Sequence, residues 1–263
     1  MPPFHAMPVI TLTTDLGLKD HYVAAVKGYL LAQAIGANIA DISHQIPPFN
    51  LAEASFILGN CYREFPSGTI HLVSVESNSD NSENFILVKS GEHLFILRDN
   101  GLISLVLKDE PELVIKLDLG EQSHSNFPLR EIMAPAACRL LKGAKPEELG
   151  ERWNDFDRKA HLSPIIQRDL VRGTVIYIDN YGNAITNIRL EHIERVRKER
   201  RFAMYFSRND TFTEFNTHYA EVPEGEKLCL FNSTGHLEIA INKGNASGLL
   251  GLEAGRTILI EFQ

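Results

Sequence analysis

Apolar and polar positions alternate along the chain in two distinct ways, one for each half. Residues 8–13 (PVITLT) are a short apolar run that stops at the polar turn Thr14-Asp15-Leu16-Gly17, the pattern of a buried strand feeding a loop. From Asp20 the period changes: Val23, Val26, Leu30 and Leu31 fall on one helical face, and Gly36 closes the segment. Residues 38–42 (NIADI) predict a second strand. Asn50, with Glu53 three residues on, predicts an N-cap of the capping-box kind, and Leu51, Ala54, Leu58 and Cys61 form the apolar stripe that follows. Residues 69–75 (TIHLVSV) predict a third strand. Strands and helices at this spacing predict a mainly parallel sheet with helices packed on it.

A hairpin is expected where residues 85–88 face 94–97 across Ser90-Gly91-Glu92. The turn Asp99-Asn100-Gly101, a strand at 113–119 (LVIKLDL) and a helix at 134–141 stopped by Gly143 complete the half. Residues 144–170 are polar, carry two prolines and lack a clean period, which marks a domain boundary. The expected division is an α/β domain at 1–150, a linker at 151–167 and a β-rich domain at 168–263. In that last part VRGTVIYID, AITNI, RFAMYF, KLCLFN, HLEIAI and RTILIEF are separated by Gly, Asn and Ser turns, as in a small barrel or sandwich.

Composition narrows the function. With 263 residues, 44% hydrophobic and 23% charged, the chain can bury a core and is not disordered. A net charge of -8 argues against nucleic acid as a partner, because such binders need a basic face. The basic stretch at 195–201 (RVRKERR) is flanked and interrupted by Glu194 and Glu199. It reads as a solvated helix face, with a docking patch as the lesser alternative. Cys61, Cys138 and Cys229 stand far apart among apolar neighbours, as buried thiols of a reducing compartment do. The start is not a secretory signal, and no apolar run approaches the ~20 residues that span a bilayer, so a cytoplasmic protein without a membrane partner is expected. No G-x-G-x-x-G follows the first strand, and there is no phosphate-binding G-x-x-x-x-G-K-[ST], no paired-His or C-x-x-C metal motif and no G-x-S-x-G elbow. No metal is expected, and no cofactor.

What remains is polar residues at strand ends and turns, where open α/β sheets place ligands. Asp15 and Asp20 flank the carboxyl end of the first strand. Each can accept hydrogen bonds from vicinal hydroxyls, or cap the following helix. In Asp179-Asn180-Tyr181-Gly182-Asn183 the ring can stack on a planar heterocycle while Asn183 reads its edge, or the segment is a turn rich in Asn and Gly for backbone reasons. Asn232-Ser233-Thr234-Gly235 and Lys243-Gly244-Asn245-Ala246 carry the same two readings.

Together these segments resemble the S-adenosyl-L-methionine (SAM) hydroxide adenosyltransferases, relatives of the fluorinating and chlorinating adenosyl enzymes. The resemblance runs through TTDLGLKDHYVAAVKG (13–28), DISHQIPPFNLAEASFIL (41–58), FPSGTIHLVSV (65–75), RDNGLIS (98–104), REIMAPAA (130–137), VIYIDNYGNAITNI (175–188) and GHLEIAINKGNA (235–246). It implies a Rossmann-like N-terminal domain and a β-barrel-like C-terminal domain. It also implies a homotrimer, with ligand between one subunit's first domain and its neighbour's second. By this resemblance Asp15 holds the ribose hydroxyls and Phe127 packs beside the adenosyl group. Asp179 holds the methionine amine, and Ser233 lies near the methionine carboxylate. Tyr181, Asn183, Asn245 and the backbone of Ala246 hold the adenine. The implied reaction is displacement at ribose C5′ by hydroxide, with SAM as substrate.

The sequence departs from the family at the water-activating positions. Hydrolytic members carry an Asp-Pro-Gly-Val-Gly loop after the third strand, an Arg beyond it and a His in Phe-His-Gly-Arg-Asp. Here stand Glu76-Ser77-Asn78-Ser79-Asp80, Glu83 and Phe127-Pro128-Leu129-Arg130-Glu131. Glu76 is then the expected base of any hydrolysis. Loss of the cation and of the imidazole favours the alternative, a non-catalytic SAM or nucleoside binder.

Overall fold

The structure, a computed structural model, describes residues 8–76, 84–120, 125–206 and 211–263. Its internal contacts divide the chain into two units, Met1–Ala160 and His161–Gln263. In the first, β1 (Val9–Thr14), β2 (Asn38–Ser43), β3 (Ile70–Ser74), β4 (Phe85–Ser90), β5 (His93–Arg98), β6 (Leu113–Leu117) and β7 (Gly150–Arg152) form one sheet, ordered β2-β1-β3-β5-β4-β6-β7. Its helices are α1 (Tyr22–Gln33), α2 (Leu51–Gly59), α3 (Leu102–Val106) and α4 (Ala134–Leu141), the last entered through a π-helical turn, Leu129–Met133.

The expected mainly parallel sheet is parallel on one side only. β1 runs parallel to β2 and β3, and β3 to β5, whereas β4, β6 and β7 join antiparallel. The cause is local: β4 and β5 are joined by Gly91-Glu92 alone, too short for a crossover. Central β3 is buried along its whole length, and apolar clusters cover both sheet faces. Ile10, Leu12, Val26, Leu30, Leu72 and Met133 belong to one; Ala54, Leu58, Val73, Ile86, Phe95 and Ile103 belong to the other.

Four local expectations change. In α1 the buried stripe runs Val23, Val26, Leu30 and on to Ala34, leaving Leu31 65% exposed. Adjacent residues lie about 100° apart on a helix, so Leu30 and Leu31 cannot share the narrow buried face. Asp20 caps nothing; His21 holds the N-cap position without a side-chain bond. At α2 Asn50 does accept the Glu53 N–H (3.1 Å), but the return bond runs from the Asn50 amide to the Glu53 carboxylate (3.3 Å). Cys61 lies beyond that helix and is only half-buried.

The second unit holds β8 (Ile165–Gln167), β9 (Leu170–Ile178), β10 (Ala184–Arg189), β11 (Phe202–Tyr205), β12 (Thr211–Phe212), β13 (Lys227–Phe231), β14 (His236–Ile241) and β15 (Thr257–Phe262), with short helices α5 (Leu190–Arg197) and α6 (Ala246–Leu250). Every pairing between these strands is antiparallel. The long β9 joins the halves of a barrel-like sheet, pairing β8 and β15 early and β10 late. At Gly173 of β9 a Cβ would meet Ile188 Cγ1 at 2.3 Å, so only glycine lets the strands approach there. The basic stretch is partly packed rather than wholly solvated: Arg197 lies over Phe202 (5.0 Å), and Arg200 lies over Phe262 (5.5 Å) and pairs with Asp169. Among the described residues no helix is long and apolar enough to cross a membrane.

Candidate ligand-binding site

From β1 the chain passes through α1 to β2 on one side and later through α2 to β3 on the other. The connections therefore diverge at the carboxyl ends of β1 and β3, the crevice where open α/β sheets take ligands. Asp15 stands there, half-buried, its N–H on Ser74 O (3.3 Å). Its Oδ2 accepts two backbone N–H groups, from Phe49 (3.0 Å) and Glu76 (3.1 Å). Both donors are non-glycine residues at positive φ, 67° and 51°. Such backbone costs on the order of 1–3 kcal/mol per residue and persists where surrounding structure enforces it. Among the described residues nothing donates to Oδ1. Asp15 does not cap α1; it is a carboxylate fixed through one oxygen and open at the other.

Neighbouring groups fix the donors. Arg98, 9% exposed at the end of β5, gives Nη1 to Glu76 O (3.0 Å), and Asn100 gives its amide to Val75 O (3.1 Å). No described residue hydrogen-bonds to the Glu76 carboxylate. Ser77 to Asp80 and Glu83, the rest of the altered loop, lie outside the described residues. Phe127 packs edge-on against Tyr22 (5.2 Å), and its N–H is held by Ser125 Oγ (3.0 Å). Pro128 is buried at the start of the π turn, where it offers no donor and no titratable group.

On the other flank, His44 is 4% exposed and bonds Thr14 Oγ1 through Nδ1 (2.8 Å), with Nε2 3.1 Å from Asp41 Oδ1 at an angle that makes no straight hydrogen bond. Asp41 also pairs with Lys27 (2.5 Å). Partial burial raises the Asp41 pKa, but the hydrogen bond from Lys27 and the neighbouring His44 ring outweigh that, and the carboxyl lies below its ordinary value.

In the second unit Asp179 orders its own turn. Oδ1 accepts the N–H groups of Tyr181 (2.9 Å) and Asn183 (2.8 Å), and Oδ2 accepts the Asn183 amide (3.1 Å). This leaves the Tyr181 ring 77% exposed. The turn rests on the start of α6: Ser247 N–H bonds Gly182 O (2.7 Å), and Asn245 caps the helix by accepting Gly248 N–H (2.6 Å). A Cβ on Gly182, at φ 82°, would meet Asn245 Cγ at 2.4 Å. The geometry thus brings Asp179, Tyr181, Asn183, Asn245 and Ala246 together. Ser233 sits apart, exposed in the β13–β14 turn, where β14 begins beside Arg189, the far end of β10 from this turn.

The sequence reading passed over Phe49, His44, Arg98, Glu238 and Tyr219. Glu238, 3% exposed on β14, accepts Tyr219 OH (2.5 Å) and the Asn232 amide (3.2 Å). Burial, then Glu238 and Asp179, raises the Tyr219 phenol above its ordinary value. A charged residue inside or closing an apolar run, as in HLEIAI and FILR, was the available signal. A concavity of about 740 Å³ lies instead at β6 and β7, the far edge of the first sheet, lined by Lys116, Asp118, Arg139, Glu147 and Glu151. Among the described residues no three metal-ligating side chains gather.

A half-parallel α/β unit with a fixed carboxylate at its strand-switch crevice, followed by a barrel-like β unit, defines a Rossmann-like plus β-barrel protein. Comparison with known proteins gives the class a family. Residues 10–150 match the model of the SAM hydroxide adenosyltransferase N-terminal domain, and residues 173–259 match that of the C-terminal domain. The chain is 28% identical to an (R)-S-adenosyl-L-methionine hydrolase of Thermus thermophilus, covering 96% of this chain and 99% of that one. It is 24% identical to a fluorinase of Nocardia brasiliensis, covering 97% of each. An uncharacterized conserved protein of Thermotoga maritima has a solved structure that superposes with a TM-score of 0.86 at 30% identity, over 95% of this chain and 99% of its own. The chain belongs to the SAM hydroxide adenosyltransferase family.

Proposed function

We propose that this chain binds SAM, with adenosine as the part of it most firmly held, and that its hydrolysis of SAM to adenosine and methionine is slow. The observation that carries this reading is the Asp15 carboxylate at the β1–β3 crevice. Its Oδ2 is locked by two backbone donors, so Oδ1 is aimed without rotamer freedom, as an acceptor for ribose hydroxyls should be. Phe127 packs beside the adenosyl group, Tyr181 stacks on adenine, and Asn183, Asn245 and the Ala246 backbone meet its edge. Asp179 serves the methionine amine, and Ser233, set apart in the β13–β14 turn, is the group assigned to the methionine carboxylate. Asp179 reaches the amine while ordering its own turn, since each carboxylate oxygen has two lone pairs.

Displacement at C5′ has a good leaving group in sulfonium, so the protein's task is to align a nucleophile opposite sulfur and strip its water. Glu76 is the available base. The slow rate follows from buried Pro128, which supplies neither proton nor donor. The unpaired cysteines support a cytoplasmic setting. Ligand released from the purified protein by denaturation and identified by mass spectrometry, with calorimetry against SAM and adenosine, tests the reading. Asp15→Ala should weaken adenosine binding at least tenfold, in line with ~1.5–3 kcal/mol for a charge-assisted bond. Wild-type protein that binds neither compound would end the proposal.

A further inference from the structure

His44 holds the chain on both sides of Asp15. Through its side chain it reaches Thr14, fully buried at the end of β1; through its carbonyl oxygen it accepts the N–H of Gly17 (2.7 Å). Thr14 Oγ1 also accepts the Leu16 N–H (3.3 Å), so the hydroxyl ties the ring to the backbone just beyond Asp15. The ring's Nε2 lies toward Asp41. Asp41 is held in turn by Lys27 of α1. The end of β2 and the residue after it thus grip Thr14 and Gly17, on either side of Asp15, and are tied to α1 through Asp41 and Lys27.

We infer that His44 is a positioning residue for the ligand carboxylate: its bond to Thr14 fixes the direction in which Asp15 Oδ1 points. This rests on the reading of Asp15 as the ribose acceptor. Backbone donors from Phe49 and Glu76 lock one carboxylate oxygen, and the Asp15 N–H on Ser74 O ties its backbone to β3. His44 adds two anchors, at the Thr14 hydroxyl one residue before Asp15 and at the Gly17 N–H two residues after it. The buried imidazole is suited to this, because one rigid ring spans two groups that flexible side chains would have to be ordered to reach.

The test uses the full chain with adenosine as probe, the dissociation constant being measured by calorimetry well below each variant's melting temperature. Thr14→Val removes the hydroxyl at nearly constant volume. His44→Gln places its amide near the Nε2 position and loses the Thr14 bond, whereas His44→Asn places an amide near Nδ1 and can keep it. The expected result is at least fivefold weaker adenosine binding in T14V and H44Q, with H44N recovering most of the affinity despite losing Asp41. Unchanged affinity in folded T14V and H44Q overturns the inference, as does an equal loss in H44N and H44Q, which would make His44 a packing residue only. Asp15→Asn is measured alongside. If it leaves affinity unchanged, the ribose reading falls and takes the inference with it; if it alone weakens binding, only the inference falls. Should the variants fail to fold, the wild type decides: saturating adenosine should shift the His44 ring nitrogen resonances, and unmoved resonances overturn the role.

Discussion

At residue 128 a ring that cannot titrate stands where the hydrolytic relatives resembled in sequence carry an imidazole. Hydroxide attacking beside sulfonium needs its charge stabilised as it sheds water, and a positioned donor commonly supplies ~2.7–4 kcal/mol. Glu76→Asp, Glu83→Arg and Pro128→His made together should raise adenosine formation from SAM above the wild-type rate. Each change alone should do little, because such groups act as a unit. A timed chromatographic assay in which the wild type already releases adenosine rapidly would show that the acidic site has a mechanism of its own. Asp15 and the 179–183 turn were legible as residues, because carboxylates, amides and an aromatic at strand ends have few purely apolar uses. His44, Arg98 and Glu238 were not. Their roles depend on Thr14, Glu76 and Tyr219, which lie 30, 22 and 19 residues away, and no local pattern encodes such a partner.

At the scale of elements, β3 carries a histidine that the chemistry of the crevice does not use. His71 is fully buried, bonds Thr11 Oγ1 (2.7 Å) and His93 Nδ1 (3.1 Å), and stacks on Phe95 (4.8 Å). Burial, assisted by His93, lowers its pKa from 6.5 to about 3. The unfolded chain then takes up a proton below pH 6.5 that the folded chain refuses, so stability should fall as pH drops from about 6.5 toward 3. One such proton contributes roughly 1.4 kcal/mol per pH unit. His93, also lowered by burial first, acts in the same direction. Urea unfolding between pH 7 and 4.5 should give a shallower dependence for His71→Asn, which can keep the Thr11 bond; an equal slope would refute the assignment. The element reading itself succeeded where an apolar run is bounded by turn residues, as in β1 and the β4–β5 hairpin, and where a helical stripe follows a cap, as in α2. It overstated parallelism, because β6 and β7 also join antiparallel beyond the expected hairpin. It missed the π turn before α4, since 129–133 carries the composition of an ordinary helix start.

Across the whole molecule the proposed ligand residues are divided between the two units, Asp15, Glu76 and Phe127 in one and the adenine set in the other. The family resemblance puts such halves in different subunits, so a homotrimer is the expected state in solution. Sedimentation showing a monomer that still binds adenosine would exclude it. The two left-handed residues that grip Asp15 have a further consequence, for evolution and engineering rather than for binding. Glycine adopts the backbone of Glu76, at φ 51°, without the penalty an L side chain meets there. Glu76→Gly should therefore raise the thermal midpoint by about 2–4 °C, the response expected of a chain this size to ~1 kcal/mol. The same change deletes the proposed base. A library of this protein selected only for survival of heat would drift toward glycine at position 76, and one selected for adenosine release would hold a side chain there. Sequencing the survivors of both selections would separate, position by position, what this crevice does for the fold from what it does for its ligand.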